Sequence, residues 1–354
     1  MVNIGAERPS ARVFGTFGIY RYILACMVVV THTAPDTWHF AGEYAVFAFF
    51  ILSGYVVSYI LHYTYLPSRH GLWKYAVNRF LRIYPPYWIV FAGSLWLVIH
   101  YPNQIREMHP AYGYPDHWWM WLINILLIGM TDPLQGIMLK PLVLPVGWSL
   151  GVEILFWAMI PKFLTSKSGR WLLALGAVSY TLLVVMLLPS QSLFPRYYSA
   201  LAVSLPFCIG LMLFIMKLQG RFIVPHKAGI IAILAFFILL FFAPDLFTEP
   251  RFTGFYAALV INTFVISYLS RVASETLPAA IRALDNFIGN LAYPIYLVHM
   301  PLGVLLYASF PSLPLHSSAL CFVDIILSSV VAFVLYHCVE VPVNRLKKTI
   351  KSLG

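Results

Sequence analysis

Apolar residues run along this chain in long unbroken blocks rather than in the alternation of a strand or the single stripe of a surface helix. "IIAILAFFILLFFA" (230–243) and "WLLALGAVSYTLLVVMLL" (171–188) carry no charge. With their flanks they approach or reach the roughly 17–25 residues that a spanning helix needs. Such windows lie near 17–34, 40–62, 83–100, 146–164, 171–188, 198–216, 228–243, 254–270, 287–308 and 319–339. An eleventh window, "WWMWLINILLIGM" at 118–130, is short for a crossing, and its tryptophans suit a membrane interface.

Loop charge decides whether 118–130 crosses, because Lys and Arg collect in short cytoplasmic loops. Without that crossing, 19 of the 23 Lys and Arg residues fall on one side, leaving only Arg106, Lys140, Arg196 and Arg251 opposite. With it, every later loop flips and the bias disappears. The expected fold class is therefore all-α: a polytopic membrane protein of about ten transmembrane helices, with a short re-entrant or interfacial segment near 118–130 and both termini cytoplasmic. The expected organisation is a cytoplasmic tail at 1–16, a membrane domain at 17–340 and a basic cytoplasmic tail at 341–354, with no further extracytoplasmic domain. "MVNIGAERPSARVFGTFG" has no apolar core of a cleavable signal, so the first helix is expected to stay.

Composition agrees, with 60% hydrophobic and 10% charged residues. The net charge of +10 is scattered between spans rather than gathered on a soluble module, which argues for membrane topology and against nucleic acid. Cys26, Cys208, Cys321 and Cys338 lie in apolar runs without CxxC spacing and are expected as buried free thiols. The histidines lack HxxxH and HExxH spacings, so no metal is expected.

Ionisable residues inside spans are the candidate chemistry, since lipid makes them costly. "GIYRYILACMVVVTHTAP" holds Arg21 at the cytoplasmic start of the first helix and His32 about 16 Å further along it. Glu153, in "VGWSLGVEILFW", lies about 10 Å below the outer start of its own span, so it and His32 are expected near one level. Arg79 and Arg82, three apart in "VNRFLRIYPPYWIV", share a helix face and offer a multidentate phosphate site; a basic pair at a membrane edge also serves as a plain anchor. Ser53 in "FFILSGY" lacks a GxSxG elbow and reads as helix packing through small residues. His299 lies in "LAYPIYLVHMP", and Asp324 has no partner visible in sequence. A secondary transporter would also use intramembrane His and Glu, although no motif repeats between 1–170 and 171–354.

Taken in order, Arg21 with His32, "FFILSGY", "RFLRIYPPYW", "GWSLGVEILFW", "LAYPIYLVHMP" and "YHCVEVPVNR" resemble the integral-membrane acyltransferase 3 family over residues 17–345. The resemblance implies transfer of an acyl group, most often acetyl, from cytoplasmic acyl-CoA to a hydroxyl of a carbohydrate or glycolipid acceptor. The setting it implies is a bacterial-type cytoplasmic (inner) membrane, with membrane lipids as the other partner. It assigns Arg21 with His32, the RxxR element to Arg79 and Arg82, and the Trp-Ser-Leu-x-x-Glu element to Trp148, Ser149, Leu150 and Glu153. In that setting His32 and Glu153 are the expected catalytic pair, with His32 as general base and Glu153 orienting it or binding the acceptor. Arg21, Arg79 and Arg82 would hold the acetyl-CoA phosphates, and Trp148, Ser149 and His299 would line the acceptor side. Trp118, Trp119 and Trp121 are candidates for a sugar platform or for interfacial anchors.

Overall fold

The computed structural model describes residues 17–189, 194–221, 224–247, 249–272 and 276–352, and among them it is helical with isolated bridges only. The expected tail 1–16 lies outside the described residues. The helices are α1 (Phe17–Thr33), α2 (Phe40–Ile60), α3 (Gly71–His100), α4 (Pro102–Met108), α5 (Trp118–Leu126), α6 (Gly147–Thr165), α7 (Lys167–Leu187), α8 (Ala200–Leu218), α9 (His226–Leu246), α10 (Phe255–Leu269), α11 (Ala279–Ser309), α12 (Ser318–Leu335) and α13 (Val341–Ser352). Eight of these, α2, α3 and α7 to α12, are long and apolar enough to cross a bilayer. The 17-residue α1 and the 19-residue α6 complete a ten-helix bundle.

Window 118–130 becomes a nine-residue helix, about 14 Å long, less than half the hydrocarbon thickness. Its last carbonyls would be unpaired in lipid, where each costs several kcal/mol. The "YPPYW" stretch of α3 takes them up. Tyr87 Oη donates to Asn124 O at 2.5 Å, Tyr84 Oη to Leu126 O at 2.7 Å, and Trp88 Nε1 to Ile125 O at 3.0 Å. Asn124, itself buried, accepts from the Val143 amide at 2.8 Å. Ser94 of α3 donates to Val143 O at 2.5 Å, so the chain returns to the level where α3 ended before α6 begins. Segment 118–130 is thus a re-entrant element, while Trp118 at its start stays exposed.

Two glycine contacts set the inner helices. A side-chain carbon on Gly210 of α8 would overlap the Ile51 carbonyl oxygen of α2, and one on Gly289 of α11 would overlap the Gly18 backbone of α1. Backbone-to-backbone approach of this kind is how membrane helices gain van der Waals contact without a hydrophobic driving force. It brings Ser53 and Arg21, near these crossings, into one interior. Outward, α7 and α9 present Leu172, Met186, Ile231 and Phe241 to the lipid.

Glu43, inside α2, is neutralised in place: Arg251 Nε donates to its Oε1 at 2.9 Å. The four cysteines are free, but only Cys208 and Cys321 are buried; Cys26 is half-buried and Cys338 exposed on the helix surface. An apolar run facing lipid leaves its thiol as accessible to lipid as its neighbours, which corrects the expectation of four buried thiols. Residues 341–352 also differ from a free tail, because they form α13, which packs on α3.

Candidate active site

A cavity of about 800 Å³ is lined by side chains of α1, α2, α3, α6, α11 and α13. Arg21, Arg79, Arg82, Arg345 and Lys347 border it, against one bordering carboxylate, Glu153. Among the described residues, five cations border the cavity with Glu153, and Asp285 and Glu340 act on Arg21 from beside it; the balance stays positive and suits a polyanion.

Arg21, Arg79 and Glu153 are each held by their neighbours. Arg21 Nε donates to Phe17 O at 3.2 Å within α1, whose start is fixed by the Ile19 amide donating to buried Asp285 at 2.8 Å. The Arg79 guanidinium sits 4.8 Å over the Trp157 ring and 5.4 Å from the Tyr75 ring. Those faces attract the cation and leave its N–H donors for another ligand; its buried Nε has no hydrogen-bond partner. Tyr75 also donates its hydroxyl to Trp157 O at 3.1 Å. That carbonyl is free because Pro161, four residues on, has no N–H to give it.

Trp157 in turn fixes the carboxylate. Its indole Nε1 donates to Ser53 Oγ at 2.9 Å, and Ser53 donates to Glu153 Oε1 at 2.5 Å. Ser53 therefore does more than pack, correcting the small-residue reading; Gly54 beside it makes the close contact, against Phe207 of α8. Glu153 is thus placed among arginines, with Ser53 rather than His32 as its hydrogen-bond partner.

The other end of α1 carries a histidine group. The His32 ring lies 5.4 Å from His299 and 6.0 Å from His109. Fully buried His299 donates from Nδ1 to the carbonyls of Tyr296 at 3.0 Å and Ile295 at 3.3 Å, since carbonyls can only accept. This fixes the tautomer and leaves an acceptor lone pair on Nε2, which has no partner. His109, in the connection between α4 and α5, has its pKa pushed down to about 4 by burial first and by the Lys140 charge second.

Tyr296 touches both groups. It borders the cavity, its ring is 6.1 Å from His299, and its hydroxyl lies 2.6 Å from Ser149 Oγ and donates to Val146 O at 3.0 Å. Trp148 is packed among Phe50, Tyr197 and Tyr198 rather than lining the cavity. Asp324 is buried and accepts from Ser328 Oγ at 2.9 Å. Sequence reasoning brought Arg21, Arg79 and Arg82 to one place and His32 to His299. It missed Ser53, Tyr296, His109 and the α13 cations; the last had a signal in the basic "NRLKK" run.

A family model described as an acyltransferase domain, acyltransferase 3, matches residues 17–337. The peptidoglycan O-acetyltransferase OatA of Listeria monocytogenes is 24% identical over 306 residues, covering 79% of this chain and 48% of the relative. A provisionally named O-acetyltransferase of Staphylococcus aureus (strain COL) is 22% identical over 359 residues, covering 94% of this chain and 57% of its own. The chain thus spans about half the length of these relatives. No solved structure matches it. The family match takes in all ten helices of the bundle, and the chain belongs to the acyltransferase 3 family.

Proposed function

We propose that this protein is a membrane O-acyltransferase that moves an acyl group, most simply acetyl, from cytoplasmic acyl-CoA to a hydroxyl of a carbohydrate or glycoconjugate on the other side of the membrane. The observation that carries the reading is the cavity in which Arg21, Arg79 and Arg82 meet Arg345 and Lys347. Coenzyme A presents phosphates at one end and a thioester at the other. The arginines and α13 would take the phosphates at the cytoplasmic mouth, and the arm would run past Glu153 and Ser53 towards Ser149 and Tyr296.

On the far side His32 acts as general base. It takes the proton of the acceptor hydroxyl, the oxygen attacks the thioester carbonyl, the C–S bond breaks, and the coenzyme A thiolate leaves to take up a proton. Neutral imidazole suits that proton transfer near pH 7. His299, locked by its own helix carbonyls, positions the His32 ring by contact. Glu153 acts on the donor side, where it borders the same cavity as Arg79 and Arg82. OatA is named for peptidoglycan O-acetylation, which supports a glycan acceptor here.

The test is acetyl-CoA consumption by purified protein with candidate glycan acceptors. Acceptor-dependent release of free coenzyme A supports the reading. Release unchanged in His32→Ala, or unaffected by any hydroxyl acceptor including short peptidoglycan fragments, would overturn it.

A further inference from the structure

A second group of polar side chains lies apart from the cavity, where the α1–α2 connection meets the α11–α12 connection. Asp36 and His39 come from a short turn between α1 and α2, and His316 from the loop before α12. Among the described residues, these three form a group of metal-ligating types whose donor atoms all fall within 4.8 Å of one another. His39 Nε2 is 2.9 Å and His316 Nδ1 3.9 Å from the same oxygen, Asp36 Oδ1, and the two imidazole rings are 5.4 Å apart. His316 Nδ1 is sealed from solvent and has no hydrogen-bond partner, although it points at this carboxylate.

We infer that Asp36, His39 and His316 form a binding site for a divalent transition cation of the zinc class. Two imidazole nitrogens and a carboxylate are a common zinc donor set, with a fourth position left for water or substrate. Ligands about 2.0–2.1 Å from a tetrahedral ion stand about 3.3 Å from each other. The observed 2.9 and 3.9 Å bracket that value, and with all donor atoms within 4.8 Å of one another the ligands need to draw together by no more than about 1.5 Å to close on an ion. An orphaned nitrogen facing a carboxylate is the arrangement that a shared cation satisfies and a hydrogen bond to Asp36 at 3.9 Å does not. The absence of an HxxxH spacing is no obstacle, since the ligands come from two connections more than 270 residues apart. The ion would tie those connections together beside the histidine group, because α1 leads from His32 straight into Asp36.

Zn²⁺ titrated into the purified full-length protein in detergent micelles, read by competition with a chromophoric chelator, tests the site. One equivalent is expected to bind to wild type and to raise its thermal midpoint. Asp36→Asn, and His39→Ala with His316→Ala, are expected to lose both effects, and His109→Ala to keep them. Wild type that binds no equivalent, or binding that survives in both the Asp36→Asn and the double histidine variants, overturns the inference. Loss in His109→Ala with retention in Asp36→Asn would move the ion to the His32 group, and so also overturns it. None of these readouts depends on acyl transfer.

Discussion

Ser53 donates its hydroxyl to Glu153 across 100 residues of sequence, and the same oxygen accepts the indole N–H of Trp157. The carboxylate is therefore aimed from α2 while it stands on α6, and the ring that holds Ser53 also carries the Arg79 guanidinium. Ser53→Ala is expected to lower acyl transfer by about ten-fold or more, because a buried acceptor left without its donor costs about 1–3 kcal/mol. Ser53→Thr, which keeps the hydroxyl, should recover most of that loss. Transfer at the wild-type rate in Ser53→Ala would detach Glu153 from the chemistry.

Arg79 and Arg82 are three residues apart and border the same cavity, and Arg79 also stacks over the Trp157 and Tyr75 rings. Arg82→Ala is expected to weaken acyl-CoA binding by about ten-fold or more, the loss of a charge-assisted hydrogen bond. Arg79→Lys is expected to be nearly as damaging as Arg79→Ala, since an ammonium reproduces neither the planar fork nor the stacking over Trp157 and Tyr75. Equilibrium binding of labelled coenzyme A measures both, and full affinity in the double alanine variant would end the phosphate-site assignment.

His32→Ala should cut acceptor-dependent turnover by about 100-fold or more while coenzyme A still binds. The split between binding and turnover is informative because His32 does not border the arginine cavity. A parallel fall in both would instead mean that α1 has lost its packing.

His109 is one group through which low pH acts on stability. Its folded pKa of about 4 lies below the ordinary 6.5, so the folded protein favours the neutral ring. That contribution is complete above pH 6.5 and is lost as pH falls towards 4, where the unfolded chain binds a proton that the folded one refuses. His109→Asn should flatten the acid side of a plot of thermal midpoint against pH. Unchanged acid sensitivity in this variant would show that other groups govern it.

Sidedness has its own test. Cysteines replacing exposed Lys140 and Lys167, on either side of α6, should label from opposite faces of the membrane with an impermeant reagent. Labelling from one face would mean that α6 does not cross.

The helical bundle and its short element were legible because both depend on quantities written locally, namely apolar length and loop charge. The same holds for Arg79 and Arg82, whose spacing on one helix fixes their shared face. What escaped was register between distant helices. Nothing in residues 40–62 says that Ser53 meets Glu153 rather than merely packing, and the estimate from helix rise that put Glu153 level with His32 carries no azimuth. Glu153 faces the cavity, where its partners stand on α2 and α3. α13 was hidden for another reason: its polar composition resembles a solvated tail until its docking surface on α3 is known.

The hold of Tyr84, Tyr87 and Trp88 on the end of α5 bears on how the protein is built. Those three donors lie on α3, so α5 has no polar partner for its terminal carbonyls until α3 is already in the bilayer. The short helix therefore depends on α3 for its polar partners and cannot stand in lipid as an independent span. Because it returns to the side it came from, it adds no change of direction, and the orientation of all seven helices from α6 to α12 is inherited from α3.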